Sequence, residues 1–331
     1  MRLVGVPPPP APRRVVHDGE TTDWCCGPLF ELGATARFEA GSSFSHCYSG
    51  GDLAGFDERG CVAYRINSHG YRGADFPRAK PAGAYRIVIL GDSFTFGEGT
   101  PETLIYPSLL GEALRGRRAD GRWIEVINLG VPGDDVSGAT QTYRDVARRL
   151  EPDWVVFQWN TNDFPAPGVQ QDHLRLIGAR YRELFAVAEA LRWSRVLSLA
   201  YMRVQTWRLS RELIATTRED AAQGEVRLRD IGGLRNRVRS DGAGFTVLAF
   251  PELIRLDAYP YATILERLHA YCETEGIALV DLLPALAAHE DSDLWVHVTD
   301  HHPNRIAHAI AARELLEELA RSLPGPTGAT P

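Results

Sequence analysis

From Tyr85 onward the chain alternates short, continuous apolar runs with stretches of helical period, and no other feature restricts its fold so strongly. Arg86 to Leu90 (RIVIL) ends at Gly91, and Trp123 to Leu129, Trp154 to Trp159 (WVVFQW), Phe245 to Phe250 and Ile277 to Leu282 follow the same pattern. A strand with one wet face alternates polar and apolar residues, whereas a strand covered on both faces does not, so these runs predict buried, parallel strands. Helical stretches at Tyr106 to Arg115, Val136 to Leu150, Tyr261 to Glu275 and Arg305 to Arg321 lie between or after them, with Pro107 tolerated in a first turn. Strands interleaved with helices in this way predict an α/β architecture, a parallel five-stranded sheet with helices on both faces.

The rest of the chain reads differently. Residues 1–20 include the consecutive prolines Pro7 to Pro10 and predict an extended leader with little fold. Residues 21–84 predict a small β-rich extension, with strand-like pieces at Ala34 to Phe38 and Cys61 to Ile66, a loop from Asn67 to Gly73, and a linker at Pro77 to Gly83. The main domain is expected over 85–323, carrying a helical insertion at 165–242 as a candidate lid, with a flexible tail at 324–331. Residues 191–240 hold 11 arginines against 5 acidic side chains, a pattern read as a solvated helical face rather than a guide for an anionic substrate.

Bulk properties exclude several classes. With 331 residues, 44% apolar and 24% charged, the chain is neither collagen-like, nor a coiled coil, nor wholly disordered. A net charge of −7 argues against a chain-wide basic surface for nucleic acid or anionic membrane. No apolar run of membrane-spanning length occurs, and residues 1–14 lack the apolar segment of a secretory signal, so a cytoplasmic location is expected. The 5 cysteines form no C-x-x-C pair, which favours reduced thiols over a disulfide framework or a zinc site, with Cys25 and Cys26 included.

In an open parallel sheet, reactive groups gather on loops beyond the carboxyl ends of the strands. Here those loops hold Gly91-Asp92-Ser93, then Asn128 to Asp134 with Gly133, then Asn160-Thr161-Asn162-Asp163; Asp300-His301-His302-Pro303-Asn304 stands before the last helix. A serine at a strand-to-helix turn presents its hydroxyl to a cleft, but it needs a base, usually a histidine oriented by a carboxylate. His302 with Asp300 is the economical pair, with His301 as a rival. A glycine N–H at Gly133 and the amide of Asn162 are suitable donors for a developing oxyanion. Asp92 and Asp163 read as structural, and Arg72 and Asp92 are also carried as candidate substrate contacts. The histidines 297, 301, 302 and 308 lack the spacing of a zinc protease, and no phosphate-binding loop is formed.

These four loops resemble the blocks of the SGNH hydrolase family, also called GDSL esterases and lipases, over about 85–164 and 245–322. The resemblance implies a flavodoxin-like three-layer α/β/α sandwich, with Ser93 as nucleophile, His302 and Asp300 completing a triad, and the Ser93 N–H, Gly133 N–H and Asn162 side chain as oxyanion hole. The family aspartate commonly lies three positions before the histidine; here the spacing is Asp-x-His. Asn160 also stands where the third block often begins with glycine. The implied activity is serine-dependent hydrolysis of a small-molecule, carbohydrate or lipid ester, without metal or cofactor. An O-acyltransferase using the same site and a non-catalytic binder are the alternatives. No nucleic-acid partner is implied, and the sequence carries no signal for oligomeric state.

Overall fold

The computed structural model describes residues 14–17, 20–23, 38–48, 55–116, 118–119, 121–161, 187, 194, 197, 201, 204, 208, 224–297 and 300–323. Among these residues the strands form three sheets. The first is antiparallel and amino-terminal, made of β1 (Arg14–His17), β2 (Glu20–Asp23), β3 (Ser43–Cys47) and β4 (Cys61–Arg65) in the order β2-β1-β3-β4. Phe44 and His46 of β3 are buried while Ser43 is exposed, the alternation of a sheet with one covered face. Phe38, Phe44, Val62, Tyr64 and Ile66 close around Phe96 of the main domain, so this sheet is seated on the larger body.

Two expectations change here. Strand β1 and the start of β2 lie within residues 1–20, where an extended leader was expected; the β-branched pair Val15-Val16 suits a strand and pairs with both β2 and β3. Cys47 and Cys61 form a disulfide, overturning the expectation of reduced thiols. Spacing alone hides this pair, because it is the β3–β4 register that sets the two cysteines opposite one another. Cys25 and Cys26 lie outside the described residues, and Cys272 is a buried free thiol.

The main sheet contains β5 (Ala84–Leu90), β6 (Arg118–Ala119), β7 (Arg122–Asn128), β8 (Trp154–Trp159), β9 (Gly244–Ala249) and β10 (Ala278–Asp281), ordered β10-β9-β8-β5-β7-β6. Five of these strands are parallel, as the continuous apolar runs predict. The two-residue β6 is an additional antiparallel edge that turns back on β7. All seven residues of β5 are buried, Arg86 among them because its guanidinium binds Glu125 at 2.6 Å and the Leu150 carbonyl at 2.7 Å.

The helices that build the layers and the site are α1 (Ser93–Phe96), α2 (Tyr106–Ala113), α3 (Val136–Asp145), α4 (Gly224–Ser240), α5 (Ala262–Glu275) and α6 (Arg305–Ser322); single helical turns also occur at Leu283–Leu286 and Asp291–Leu294. Helix α2 packs with α6 and β7, while α3, α4 and α5 pack in series with β5 and β9, giving the layers of an α/β/α sandwich. Helix α3 is shorter than the predicted 136–150, and a separate 3₁₀ turn covers Ala147–Leu150. Helix α4 buries Leu228, Ile231, Leu234 and Val238 along one stripe and exposes Arg229, Arg237 and Arg239, whereas Arg227 is buried and Arg235 largely so, so only part of this helix is the solvated face expected of the arginine-rich segment. Most of the predicted insertion before α4, and the tail at 324–331, lie outside the described residues.

The third sheet is a hairpin of β11 (Trp295–His297) and β12 (Asp300–Pro303), where the sequence reads as a loop. Strand β5, first of the main sheet, lies between the second and third parallel strands, β7 and β8. The winding direction reverses beside it, and the crevice at the carboxyl end of β5 is the place where such sheets build sites.

Candidate active site

The loop after β5 is shaped by exclusion. A Cβ on Gly91 would lie 2.2 Å from Thr95 Oγ1 and 2.5 Å from Gln158 Oε1, so only glycine allows the chain to turn here. Asp92 caps α1 by accepting the Phe94 N–H at 2.8 Å, and Gln158 on β8 accepts from the Asp92 N–H and the Thr95 hydroxyl. Gly97 then leaves the helix at φ +81°. Between Gly91 and Thr100, Ser93 is the one residue that is not buried. The turn thus packs every neighbour inward and leaves the serine at the crevice.

On β12, residues two apart share a face. Asp300 and His302 are such a pair: Asp300 Oδ1 lies 2.6 Å from His302 Nδ1 and also accepts the His302 backbone N–H at 3.2 Å. That bond makes Nδ1 the protonated nitrogen and leaves Nε2 as acceptor, 2.9 Å from Ser93 Oγ. His301 faces elsewhere and stacks on the Trp295 ring at 3.9 Å, so it does not reach the serine. The hairpin is tied to the serine loop by the Thr100 hydroxyl, which donates to the Pro303 carbonyl at 2.9 Å. Asn304 caps α6 and donates its amide to the carbonyls of Asp293 and Trp295, fixing the other end.

Gly133 follows β7 in the left-handed region, at φ +82°, with open space where a side chain would stand. Its loop is drawn to the serine turn by the Val131 N–H, which donates to the Gly91 carbonyl at 2.9 Å. At Gly130 a Cβ would approach the Phe96 nitrogen to 2.5 Å, so the two loops touch backbone to backbone. Asp135 caps α3, and Arg227 of α4 holds that cap through Asp135 and Ser137 at 2.9 and 2.8 Å. Asn162 and Asp163 lie outside the described residues; Asn160 and Thr161 before them are buried.

The two candidate substrate contacts are placed differently from that expectation. Arg72 is 2% exposed and donates to the carbonyls of Phe96, Gly97 and Thr100, so it is an internal clamp on the serine loop rather than a cleft residue. It stacks on the Tyr64 ring, and burial lowers its guanidinium to about 10. Asp92 is 3% exposed and serves as a helix cap. His308, one of the clustered histidines, is fully buried and its Nδ1 accepts the Tyr106 N–H.

Several ionisable groups near the triad were not singled out from the sequence. Tyr48, at the end of β3, donates its hydroxyl to Asp300 Oδ2 at 2.5 Å. Glu98 Oε2 is 3.5 Å from His302 Nε2. Burial, with the charge of Asp92, pushes the Glu252 carboxyl up to about 7, opposed by His302. Glu252 stands just past the carboxyl end of β9, where the strand-end rule directs attention, so it was findable. Asp134, next to Gly133, is pushed up to about 8 by burial and by Asp135 and Asp92.

The sequence model of the GDSL-like lipase/acylhydrolase family matches residues 89–310. Among solved structures, TesA aligns at 16% identity over 72% of this chain and 99% of its own, with a TM-score of 0.46. A catalytic mutant of Axe2, an acetylxylan esterase from Geobacillus stearothermophilus, aligns at 16% identity over 71% of this chain and 94% of its own, with a TM-score of 0.45. The lipase/acylhydrolase from Enterococcus faecalis aligns at 16% identity over 74% of this chain and 99% of its own, with a TM-score of 0.44. No curated protein matches the sequence. The family match spans two thirds of the chain and encloses the whole serine–histidine–aspartate set, so the chain belongs to the GDSL-like lipase/acylhydrolase family and is an ester hydrolase.

Proposed function

We propose that Ser93 is the nucleophile of an acyl-enzyme mechanism acting on the O-acyl ester of a small molecule, carbohydrate or lipid. The observation that carries this reading is the continuous relay from Ser93 Oγ to His302 Nε2 at 2.9 Å and from His302 Nδ1 to Asp300 at 2.6 Å. His302 takes the proton as Ser93 attacks the acyl carbonyl, and Asp300 holds the ring and stabilises its charged form. The oxyanion is received by the backbone N–H groups of Ser93 and Gly133 and by the Asn162 amide. His302 then gives its proton to the leaving alcohol, and water, deprotonated by the same ring, releases the acid.

The test is hydrolysis of p-nitrophenyl esters from acetate to long acyl chains, comparing the wild type with Ser93→Ala. Turnover that depends on Ser93 supports the reading, and its chain-length profile sizes the acyl pocket. Turnover retained in Ser93→Ala removes it. Asn162→Ala should lose about 10²- to 10³-fold in kcat while remaining folded.

A further inference from the structure

The carboxylate of a catalytic dyad has two oxygens, and in this chain they are held by different parts of the molecule. Asp300 is 3% exposed. Its Oδ1 serves His302, while its Oδ2 accepts the hydroxyl of Tyr48, 252 residues away in sequence and on the amino-terminal sheet. We propose that Tyr48 is a positioning residue for the triad: its hydroxyl fixes the plane of the Asp300 carboxylate, so that the small amino-terminal sheet is a working part of the catalytic apparatus. The proposal rests on the reading of Ser93, His302 and Asp300 given above.

Tyr48 is built to stay where it is. It is 4% exposed, its N–H donates to the Gly60 carbonyl at 2.9 Å, and its ring lies edge-on to Phe56 and tilted against His297. The preceding residue, Cys47, is bonded to Cys61, which ties the end of β3 to the start of β4 immediately before the tyrosine. The main domain makes room for it: a Cβ on Gly99 would stand 2.8 Å from the Tyr48 hydroxyl and 2.5 Å from Val296. The sheet itself is pinned to the serine loop by Arg72 and by Tyr64, whose hydroxyl accepts the Gly99 N–H at 2.6 Å.

The chemical consequence follows from rotation about the Asp300 Cβ–Cγ bond. Without the Tyr48 hydroxyl that rotation is less restrained, and a turn of the carboxylate carries the imidazole off its line to Ser93. With both oxygens engaged, Nε2 is aimed before substrate arrives, the preorganisation that catalysis rewards. The hydroxyl also spreads the carboxylate charge, so removing it makes Asp300 more basic and strengthens its hold on the protonated ring. The acid limb of the pH–rate profile then moves to higher pH. Among the described residues, the other groups facing this pair are Glu98, Glu252 and His308 around His302, and His297 beside Tyr48.

Tyr48→Phe keeps the ring and removes the hydroxyl. The full chain is assayed for p-nitrophenyl acetate hydrolysis and for the rate at which a fluorophosphonate labels Ser93, each across pH. Expected are a fall of about tenfold in kcat with KM held within about twofold, and an acid limb displaced to higher pH in both assays. Replacing Tyr48 with 3-fluorotyrosine, a stronger donor of nearly equal size, should displace the limb to lower pH, a graded response that packing alone does not produce. A kcat and a pH profile in Tyr48→Phe equal to the wild type overturn the proposal. If Tyr48→Phe does not fold, an unmoved limb in the 3-fluorotyrosine protein overturns it. Failure of the wild type to label at Ser93, judged against Ser93→Ala, instead overturns the reading of the nucleophile.

Discussion

Glu98 Oε2 lies 3.5 Å from His302 Nε2, on the nitrogen that faces Ser93 rather than the one that faces Asp300. Its other oxygen is 3.8 Å from His46 Nδ1, and the side chain is 5% exposed. A carboxylate in this position favours the protonated ring, as Asp300 does from the opposite side. Glu98→Gln should therefore displace the acid limb of kcat/KM to lower pH, by about 1 unit, with Asp300, Glu252 and His308 unchanged around the ring. The direction is opposite to that expected for Tyr48→Phe. A limb that stays in place would show that Glu98 carries no charge during turnover.

Glu252, half-buried, and His308, fully buried, tilt stability against pH in opposite senses. Glu252 is raised from 4.5 to about 7, so between those values the unfolded chain releases a proton that the folded chain keeps, and stability falls as pH rises. The effect is at most about 3 kcal/mol and is complete above pH 7. His308 is lowered from 6.5 to about 3 by burial and by the charges of Arg72 and His302, so stability falls as pH drops through that window. Urea midpoints across pH should fall less steeply with rising pH in Glu252→Gln, with Asp134 carrying the remainder of that slope, and should lose the opposite slope in His308→Leu. His308→Leu should also cost about 1 to 2 kcal/mol at neutral pH, because the Tyr106 N–H loses its acceptor.

Arg72 secures the loop that carries the nucleophile. Arg72→Met would keep much of the volume over Tyr64 but leave the carbonyls of Phe96, Gly97 and Thr100 without their donor. We expect a loss of about 3 kcal/mol or more in urea unfolding, and fluorophosphonate labelling of Ser93 slowed under conditions where the protein remains folded. Labelling at the wild-type rate would mean that the loop holds its shape without the clamp.

The main sheet was legible because buried parallel strands leave an unbroken apolar run, and RIVIL and WVVFQW are such runs. The serine turn, the Gly133 loop and the Asp300–His302 pair were legible because they sit at strand ends or before a helix, where local spacing carries the signal. The amino-terminal sheet was only half legible: Ser43 to Cys47 mixes serines with Phe44 and His46, and its strand character comes from pairing with β1 and β4. Tyr48 and Glu98 were invisible for the same reason. Each matters through a partner more than 200 residues away, and neither carries a motif such as Gly-Asp-Ser or Asp-x-His that marks it as part of a site. Arg72 was carried as a candidate substrate contact beside the structural reading of its loop, and only its three carbonyl partners decide for the structural one.

The placement of Asp300 and His302 on one strand has a mechanical consequence. Their separation is a property of the strand's pleat, whereas the contact between His302 and Ser93 bridges the hairpin and the main sheet. A shear of the hairpin against the sheet would lengthen the serine contact and leave the dyad intact. The triad therefore has one rigid joint and one sliding joint, and under thermal or denaturant stress it should come apart at its serine end first.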